Sequence, residues 1–263
     1  MPQQRTRPAY LDVPFVALAH RGGFSQAAPA EFENSMRAFA SAWDAGYRYL
    51  ETDVHVTRDG VLVAFHDHAL DRVTNDVGRI AHLTWDEIAR ARIGGAEPIP
   101  RFDELLAAFP TARFNVDLKA PGVERPLIDV LGRAAAWDRV CVGSFSGGRL
   151  RSFRRLSGGR VATSAPPLEV GVLSLLPGVR SAWPLTGSVF QVPERDPRTG
   201  LRIVGRRMID AAHRRGAAVH VWTVNDRPDM ERLIDLGVDG LVTDDIATLK
   251  DVLIDRNLWE GNA

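Results

Sequence analysis

The sequence predicts an α/β fold closed as a TIM (β/α)8 barrel, and three observations carry that expectation. Eight short runs rich in Val, Ile, Phe and Ala recur along the chain, and amphipathic stretches separate them, as consecutive βαβ units require. The length of 263 residues at 45% hydrophobic content suits one such barrel, which typically takes about 250 residues. We therefore expect a single domain over residues 1–263.

Taken in order, the strand-like runs are residues 15–20, 49–54, 114–119, 140–145, 160–164, 188–193, 218–224 and 240–244. Helical patterns fill the gaps at 34–46, 123–137, 148–156, 205–215 and 228–236. The first and fourth of these finish at glycines, Gly46 and Gly216, which suit the left-handed position after a helix. Residues 57–110 break the rhythm with a small insertion after the second strand. There Arg58-Asp59-Gly60 separates two alternating runs, a hairpin signal, and an irregular stretch continues to Ile99-Pro100. We expect a hairpin arm and excursion lying over the barrel mouth as a lid or substrate wall. Residues 195–202, with Pro197 and Gly200, read as a charged loop.

Composition excludes several function classes. Lys plus Arg equals Asp plus Glu at 33 each, so no global field favours nucleic acid or an anionic membrane, and any anion must be bound locally. Cys141 is the only cysteine and lies in an apolar strand-like run, which leaves neither a disulfide framework nor a thiolate metal site. No stretch reaches the ~20 apolar residues that span a bilayer, and residues 1–14 are polar. The expectation is a soluble, cytoplasmic protein with no stable membrane insertion; the oligomeric state is left open. The apolar segment 168–184, with Leu173, Leu175, Leu176 and Trp183, is expected to pack on the barrel wall, with contact to a lipid or partner as the alternative.

Chemistry concentrates in the first half of the chain. Side chains two apart on a strand share a face, so Glu51, Asp53 and His55 point the same way, and so do Asn115, Asp117 and Lys119. Burying neighbouring carboxylates costs several kcal/mol each or forces one to protonate. A divalent cation relieves that cost; ion pairs of Glu51 and Asp53 with Arg21 and Lys119 are the alternative. All-oxygen ligation by Glu51, Asp53 and Asp117 points to Ca²⁺ or Mg²⁺ rather than zinc, with His55 outside the direct ligand set. His20 and His66 end strand-like runs beside these acids and are candidates for proton transfer. Arg21 and Lys119 can meet phosphate oxygens, and Gly22-Gly23 let backbone approach a ligand. Asn34 or Ser35 is expected to cap the first helix, while Glu33 orients His20 or the metal-binding side chains. Trp222 offers an apolar wall, and Asp244-Asp245 reads as the cap of a helix after the eighth strand. His68, His82, His213 and His220 are read as structural.

The run Ala19-His20-Arg21-Gly22-Gly23, then Glu33-Asn34-Ser35, Glu51-Thr52-Asp53-Val54, the turn at 57–60 and His66-Asp67 resemble the glycerophosphodiester phosphodiesterase family. Asn115-Val116-Asp117-Leu118-Lys119, Val221-Trp222-Thr223-Val224-Asn225 and Gly240-Leu241-Val242-Thr243-Asp244 continue the match in order over nearly the whole chain. The resemblance implies a TIM barrel that hydrolyses glycerophosphodiesters to sn-glycerol 3-phosphate and an alcohol with a divalent ion. It implies general acid and base roles for His20 and His66, metal ligation by Glu51, Asp53 and Asp117, and phosphate binding by Arg21 and Lys119. Glu33 and Asn34 match its Glu-Asn pair beside the catalytic histidine, which implies a part in substrate binding. Two departures stand out: Asp117 replaces a customary Glu, and the loop 24–32 is longer than the common version. A lysophospholipase D-like or cyclising lipid phosphodiesterase on the same barrel, acting on a lysophospholipid substrate, is the nearest alternative. A non-catalytic barrel that binds phosphorylated metabolites is the alternative of another class.

Overall fold

The computed structural model describes residues 8–175 and 185–261. In chain order the elements are β1 (Val16–Phe24), α1 (Met36–Asp44), β2 (Tyr49–Val56), β3 (Leu62–Ala64), α2 (Trp85–Ile88), β4 (Arg92–Ile93), β5 (Glu97–Pro98), α3 (Phe102–Ala108), β6 (Arg113–Leu118) and α4 (Glu124–Arg133). They continue as β7 (Val140–Gly143), α5 (Gly147–Ser157), β8 (Ala162–Thr163), α6 (Pro167–Leu175), β9 (Val189–Pro193), α7 (Arg206–His213), β10 (Ala218–Trp222), α8 (Arg227–Leu236), β11 (Gly240–Asp245) and α9 (Ile246–Asp255).

Eight parallel strands run in the order β8-β7-β6-β2-β1-β11-β10-β9. The two ends of that order meet at a parallel bridge between Ser164 and Val189, where Ser188 N donates to Thr163 O at 2.8 Å and Ala165 N to Val189 O at 2.8 Å. The barrel is thus nearly closed, as expected. The strands are buried on both faces because helices cover the outside and side chains fill the inside. The outer shell joins residues such as Phe39, Phe114, Phe153 and Leu249. The lumen holds a separate apolar group that includes Leu18, Tyr49, Cys141, Val189 and Val242.

Tyr10, from a short 3₁₀ turn at Ala9–Leu11, plugs that lumen. Its ring meets Tyr49 edge to face at 5.2 Å, and Tyr49 Oη donates to Tyr10 O at 2.7 Å. With the N-terminal half of the lumen filled by apolar groups, the polar strand residues are left to gather at the C-terminal ends.

The second strand leads into an antiparallel hairpin, pairing Val54 with Ala64, His55 with Val63 and Val56 with Leu62. Because β3 pairs with the last residues of β2, the arm begins at the C-terminal end of the barrel. The chain beyond it gathers its own small core from Phe65, Leu70, Ile80, Ile88 and Ile93. α3, within residues 57–110, is a regular helix that precedes β6 and was not anticipated. β1 runs on to Phe24, so Arg21-Gly22-Gly23 belong to an irregular strand end whose register shifts between Ala19 and Phe24. In the segment 168–184, Leu173 is fully buried in the shell, as wall packing requires; Leu176 and Trp183 lie outside the described residues.

Candidate active site

A cavity of about 790 Å³ opens at the C-terminal ends of the barrel strands. Its wall includes His20, Arg21, Glu51, Asp53, Asp117 and Lys119. His66, two residues past β3, reaches the same cavity from the arm, and Trp222 reaches it from the end of β10. Eight of the ten anticipated residues therefore converge, from β1, β2, β6, β10 and the arm.

The strand end after His20 is shaped by two glycines. Gly22 (φ 91°) and Gly23 (φ 70°) are left-handed; a Cβ on Gly22 would stand 2.6 Å from Ala38 Cβ, and one on Gly23 2.2 Å from Ile246 Cγ2. Only glycine lets this turn pack so closely on α1 and α9. Arg21 itself adopts φ 53°, a conformation that costs about 1 kcal/mol or more for a non-glycine residue. The turn is held by its contacts: Arg21 N donates to Glu51 Oε2 at 3.1 Å, and Arg21 Nη1 donates to Glu33 at 3.2 and 3.3 Å. Arg21 Nε lies 3.3 Å from Asp53 Oδ2, near enough for charge attraction although not aligned for a hydrogen bond.

Asp53 is the hub of this arrangement. Lys119 Nζ stands 2.8 Å from Asp53 Oδ1 and 2.7 Å from Asp117 Oδ2, and Asn34 Nδ2 donates to Asp53 Oδ2 at 3.2 Å. Burial would raise the Asp53 pKa, but the positive charges of Lys119 and Arg21 outweigh it and hold the carboxyl below its usual range. At Glu51 the charges of His20, Lys119 and Arg21 favour the carboxylate but do not prevail. Burial first, and then the neighbouring Asp53 charge, push it from 4.5 up to about 7. Burial opposes the charge of Lys119, but Asp53 and Asp117 outweigh it and raise the pKa of the ammonium.

The two histidines sit in opposite electrostatic settings. His20 Nδ1 donates to Asp244 Oδ1 at 2.6 Å, and its Nε2 lies 3.9 Å from Glu51 Oε2. Burial disfavours its charged form, but the Asp244 hydrogen bond and the Glu51 charge outweigh burial and raise its pKa. His66 Nδ1 is 2.6 Å from Asp67 Oδ1, and burial dominates there, lowering its pKa despite Asp53 and Asp67.

Around these residues some expectations hold and others are corrected. Ser35 alone caps α1, its side chain accepting from Ala38 N at 3.1 Å, because Asn34 is left-handed at φ 57° and its amide serves Asp53 and Thr52 instead. Glu33 and Asn34 stand behind the cavity wall rather than on it, holding Arg21 and Asp53. Asp245 caps α9 as anticipated, accepting from Thr248 N at 3.0 Å, but Asp244 faces the other way and holds His20. His55 is buried, with its Nε2 donating to His66 O at 3.1 Å, and it packs against His68; burial lowers its pKa to about 4. Sequence reading also missed Phe145, which lies edge to face with Trp222 at 5.8 Å. It likewise missed Gln191, whose amide donates to Asn115 Oδ1 at 2.7 Å on the cavity floor.

Among the described residues no three His, Cys, Asp or Glu side chains are gathered closely enough to hold an ion. The Lys119 ammonium stands between two of the three anticipated ligands, so for Asp53 the ion-pair alternative is realised in this structure. Two observations nevertheless fit the donor set to a hard cation. Asp117 Oδ1 is buried without a hydrogen-bond partner, and Glu51 is an acid whose charge is disfavoured by burial and by Asp53 despite the cations around it.

Comparison with known proteins places this geometry in a family. The model of the "Glycerophosphoryl diester phosphodiesterase family" matches residues 20–248. A Mycobacterium tuberculosis protein named "Probable glycerophosphodiester phosphodiesterase 2" is 39% identical over 251 residues, covering 94% of this chain and 93% of its own. The fold is similar to a solved structure from Silicibacter pomeroyi DSS-3 (TM-score 0.78, 25% identity, 95% of this chain and 99% of that one). It is also similar to an Oleispira antarctica phosphodiesterase solved in complex with the product sn-glycerol-3-phosphate (TM-score 0.74, 22% identity, 94% and 99%).

Proposed function

This chain belongs to the glycerophosphoryl diester phosphodiesterase family, a family of phosphoric diester hydrolases, and we propose that it cleaves glycerophosphodiesters to sn-glycerol 3-phosphate and an alcohol by proton transfer through His20 and His66. The observation that carries this reading is the convergence of two imidazoles, each held at Nδ1 by its own aspartate, on one cavity that also holds Arg21 and Lys119.

An aspartate that accepts from Nδ1–H fixes the tautomer and leaves Nε2 for proton exchange. One histidine takes the proton of the attacking hydroxyl, from water or from the substrate's own 2-hydroxyl; the other returns a proton to the departing alkoxide oxygen. Each transfer is worth roughly 10² to 10⁴ in rate. The Arg21 guanidinium and the Lys119 ammonium meet the phosphate oxygens and neutralise the charge that builds there as the P–O bond breaks. Glu33 and Asn34 keep Arg21 and Asp53 in register for that contact.

Glu51, Asp53 and Asp117 are the residues that would hold a divalent cation, Ca²⁺ or Mg²⁺. Such an ion supplies Lewis-acid polarisation of a phosphoryl oxygen. The unpartnered Asp117 Oδ1 and the burial of Glu51 beside Asp53 support this assignment.

The far side of the cavity favours a second reading. Phe145 is 66% exposed and Leu201 55% exposed, and both line the cavity together with Trp222, so the glycerol that stays on the phosphate can carry an acyl chain, as in a lysophospholipid. Release of glycerol 3-phosphate or of free alcohol from glycerophosphocholine, glycerophosphoglycerol and lysophosphatidylcholine, with and without chelator, tests both. Chelator-sensitive turnover of the first two supports the main reading, and faster turnover of the third supports the lysophospholipase D-like one. Binding without any turnover overturns both in favour of a phosphometabolite-binding barrel.

A further inference from the structure

His66 is carried by the arm, whereas Arg21, Asp53 and Lys119 are carried by the barrel. Turnover by the proposed route needs the two bodies held in fixed relation at the cavity. The backbone beside His66 is tied to β2 by Phe65 N to Asp53 O at 2.9 Å and by His55 Nε2 to His66 O at 3.1 Å, and a further side chain bridges the two bodies at the level of the His66 ring. Arg72, five residues past Asp67 on the arm, directs its Nε to Asp67 Oδ2. Its Nη1 donates to Glu33 Oε2 at 3.2 Å, and its Nη2 donates to Glu33 Oε1. Asp67 holds the His66 ring through its other oxygen at 2.6 Å, and Glu33 holds Arg21.

We propose that Arg72 is a positioning residue for this reaction: its guanidinium clamps the arm's Asp67 to the barrel's Glu33 and so fixes the His66 ring against the Arg21 anion site. The inference rests on the functional reading above.

Two features set this contact apart from an ordinary surface pair, which contributes little. Glu33 is only 8% exposed, so its charge is poorly solvated and both guanidiniums serve it. The planar guanidinium also presents separate edges, one to each carboxylate, which a lysine ammonium cannot reproduce. The Asp67 carboxyl lies below its usual range: burial opposes this, but the hydrogen bonds from Arg72 and His66 prevail. It therefore stays ionised and keeps the proton on His66 Nδ1. Loss of the clamp frees the His66 ring to wander, and a misplacement of about 1 Å at a reacting group costs on the order of 100-fold.

The test is steady-state turnover of glycerophosphocholine by the wild type, Arg72→Ala, Arg72→Lys, His66→Ala and the Arg72→Ala/His66→Ala double variant. Arg72→Ala is expected to lower kcat by about 10- to 100-fold with KM within about threefold. Arg72→Lys should stay close to Arg72→Ala, because charge alone does not bridge the two carboxylates. With His66 already removed, Arg72→Ala should change the residual rate by less than about twofold, the non-additivity of residues that act through one another. Equal losses with and without His66, a raised KM at unchanged kcat, or full activity in Arg72→Lys would overturn the proposal. If Arg72→Ala does not fold, Asp67→Asn, which severs the same bridge with little change of shape, takes its place with the same expectations. A wild type that turns over no glycerophosphodiester sinks the functional reading and this inference together. An active wild type with additive losses sinks this inference alone.

Discussion

Replacing Glu51 by Gln should make the metal-free protein more stable at neutral and alkaline pH while it removes activity. The perturbation deletes a buried charge and keeps an oxygen that can accept from Arg21 N, now 3.1 Å from Glu51 Oε2. In the folded chain Glu51 ionises near 7 instead of 4.5, because burial and the Asp53 charge oppose its carboxylate. A raised folded value means that the unfolded chain releases the proton first. The native state thus holds the proton more tightly than the unfolded state between these two values, and stability falls as pH rises through that window. At about 1.4 kcal/mol per pH unit, the full cost above pH 7 is about 3 kcal/mol. The stability difference between Glu51→Gln and wild type should be flat below pH 4.5, grow in favour of the variant between 4.5 and 7, and level off above. Denaturant unfolding in EDTA from pH 4 to pH 8 reads this directly. In thermal melts at pH 8 the variant should gain roughly 6–12 °C, taking about 2–4 °C per kcal/mol for a chain of this size. A difference that does not change with pH would refute the claim that burial and the Asp53 charge outweigh the cations around this carboxylate.

Other consequences of the site can be checked alongside. His20→Ala and His66→Ala should each lower kcat by about 10² to 10⁴, with circular dichroism spectra unchanged, since neither side chain belongs to an apolar cluster. Asp244→Asn should move the limb of the pH–rate profile set by His20 toward acid, because the Asp244 carboxylate helps raise that pKa. The stability that the Asp244–His20 contact adds is present below about 6.5 and is lost as pH rises through the raised folded value, so Asp244→Asn should destabilise the protein more at pH 5.5 than at pH 9. Phe145→Ala should raise KM for lysophosphatidylcholine several-fold and leave KM for glycerophosphocholine within about twofold, because Phe145 and Trp222 form an apolar wall that only a substrate with an acyl chain on its glycerol would fill.

The barrel was legible because its physical signature is local: short apolar runs and amphipathic stretches alternate regardless of what each later touches. Most of the cavity wall was legible for a related reason. Period-2 alternation puts Glu51 and Asp53 on one face and Asp117 and Lys119 on another, and parallel pairing then sets Asp53 beside Asp117. What escaped depends on contacts between residues far apart in sequence. Asp244 and Asp245 look alike as caps, but alternation at the end of β11 sends one to α9 and the other across to His20, 224 positions away. Asn34 reads as an N-cap until its left-handed φ is known, and the bonds that hold it, Asn34 N to Arg21 O at 2.8 Å and its amide to Thr52 and Asp53, all reach residues distant in sequence. Arg72 carried no signal at all, being one more basic residue in an irregular stretch.

The plug at the other end of the lumen explains why so many charges share one cavity. Tyr10, Tyr49, Leu18 and Val189 occupy the N-terminal half of the lumen, so a carboxylate pointing inward at that depth would have neither water nor a partner. Toward the C-terminal ends the same strand faces carry Glu51, Asp53 and Asp117, where the cavity, the arm and the loops supply both. Neutralising these acids is then divided between the fixed cations and whatever binds. Arg21 and Lys119 are committed to Asp53 and Asp117, and Glu51 is the member whose charge burial and Asp53 still disfavour. An anionic phosphodiester entering such a site meets two cations already engaged with carboxylates, so its affinity depends on how far those carboxylates release them. This ties substrate binding to the charge state of Glu51, Asp53 and Asp117, and it makes the titration of the Glu51→Gln variant a measurement on the reacting site as well as on the fold.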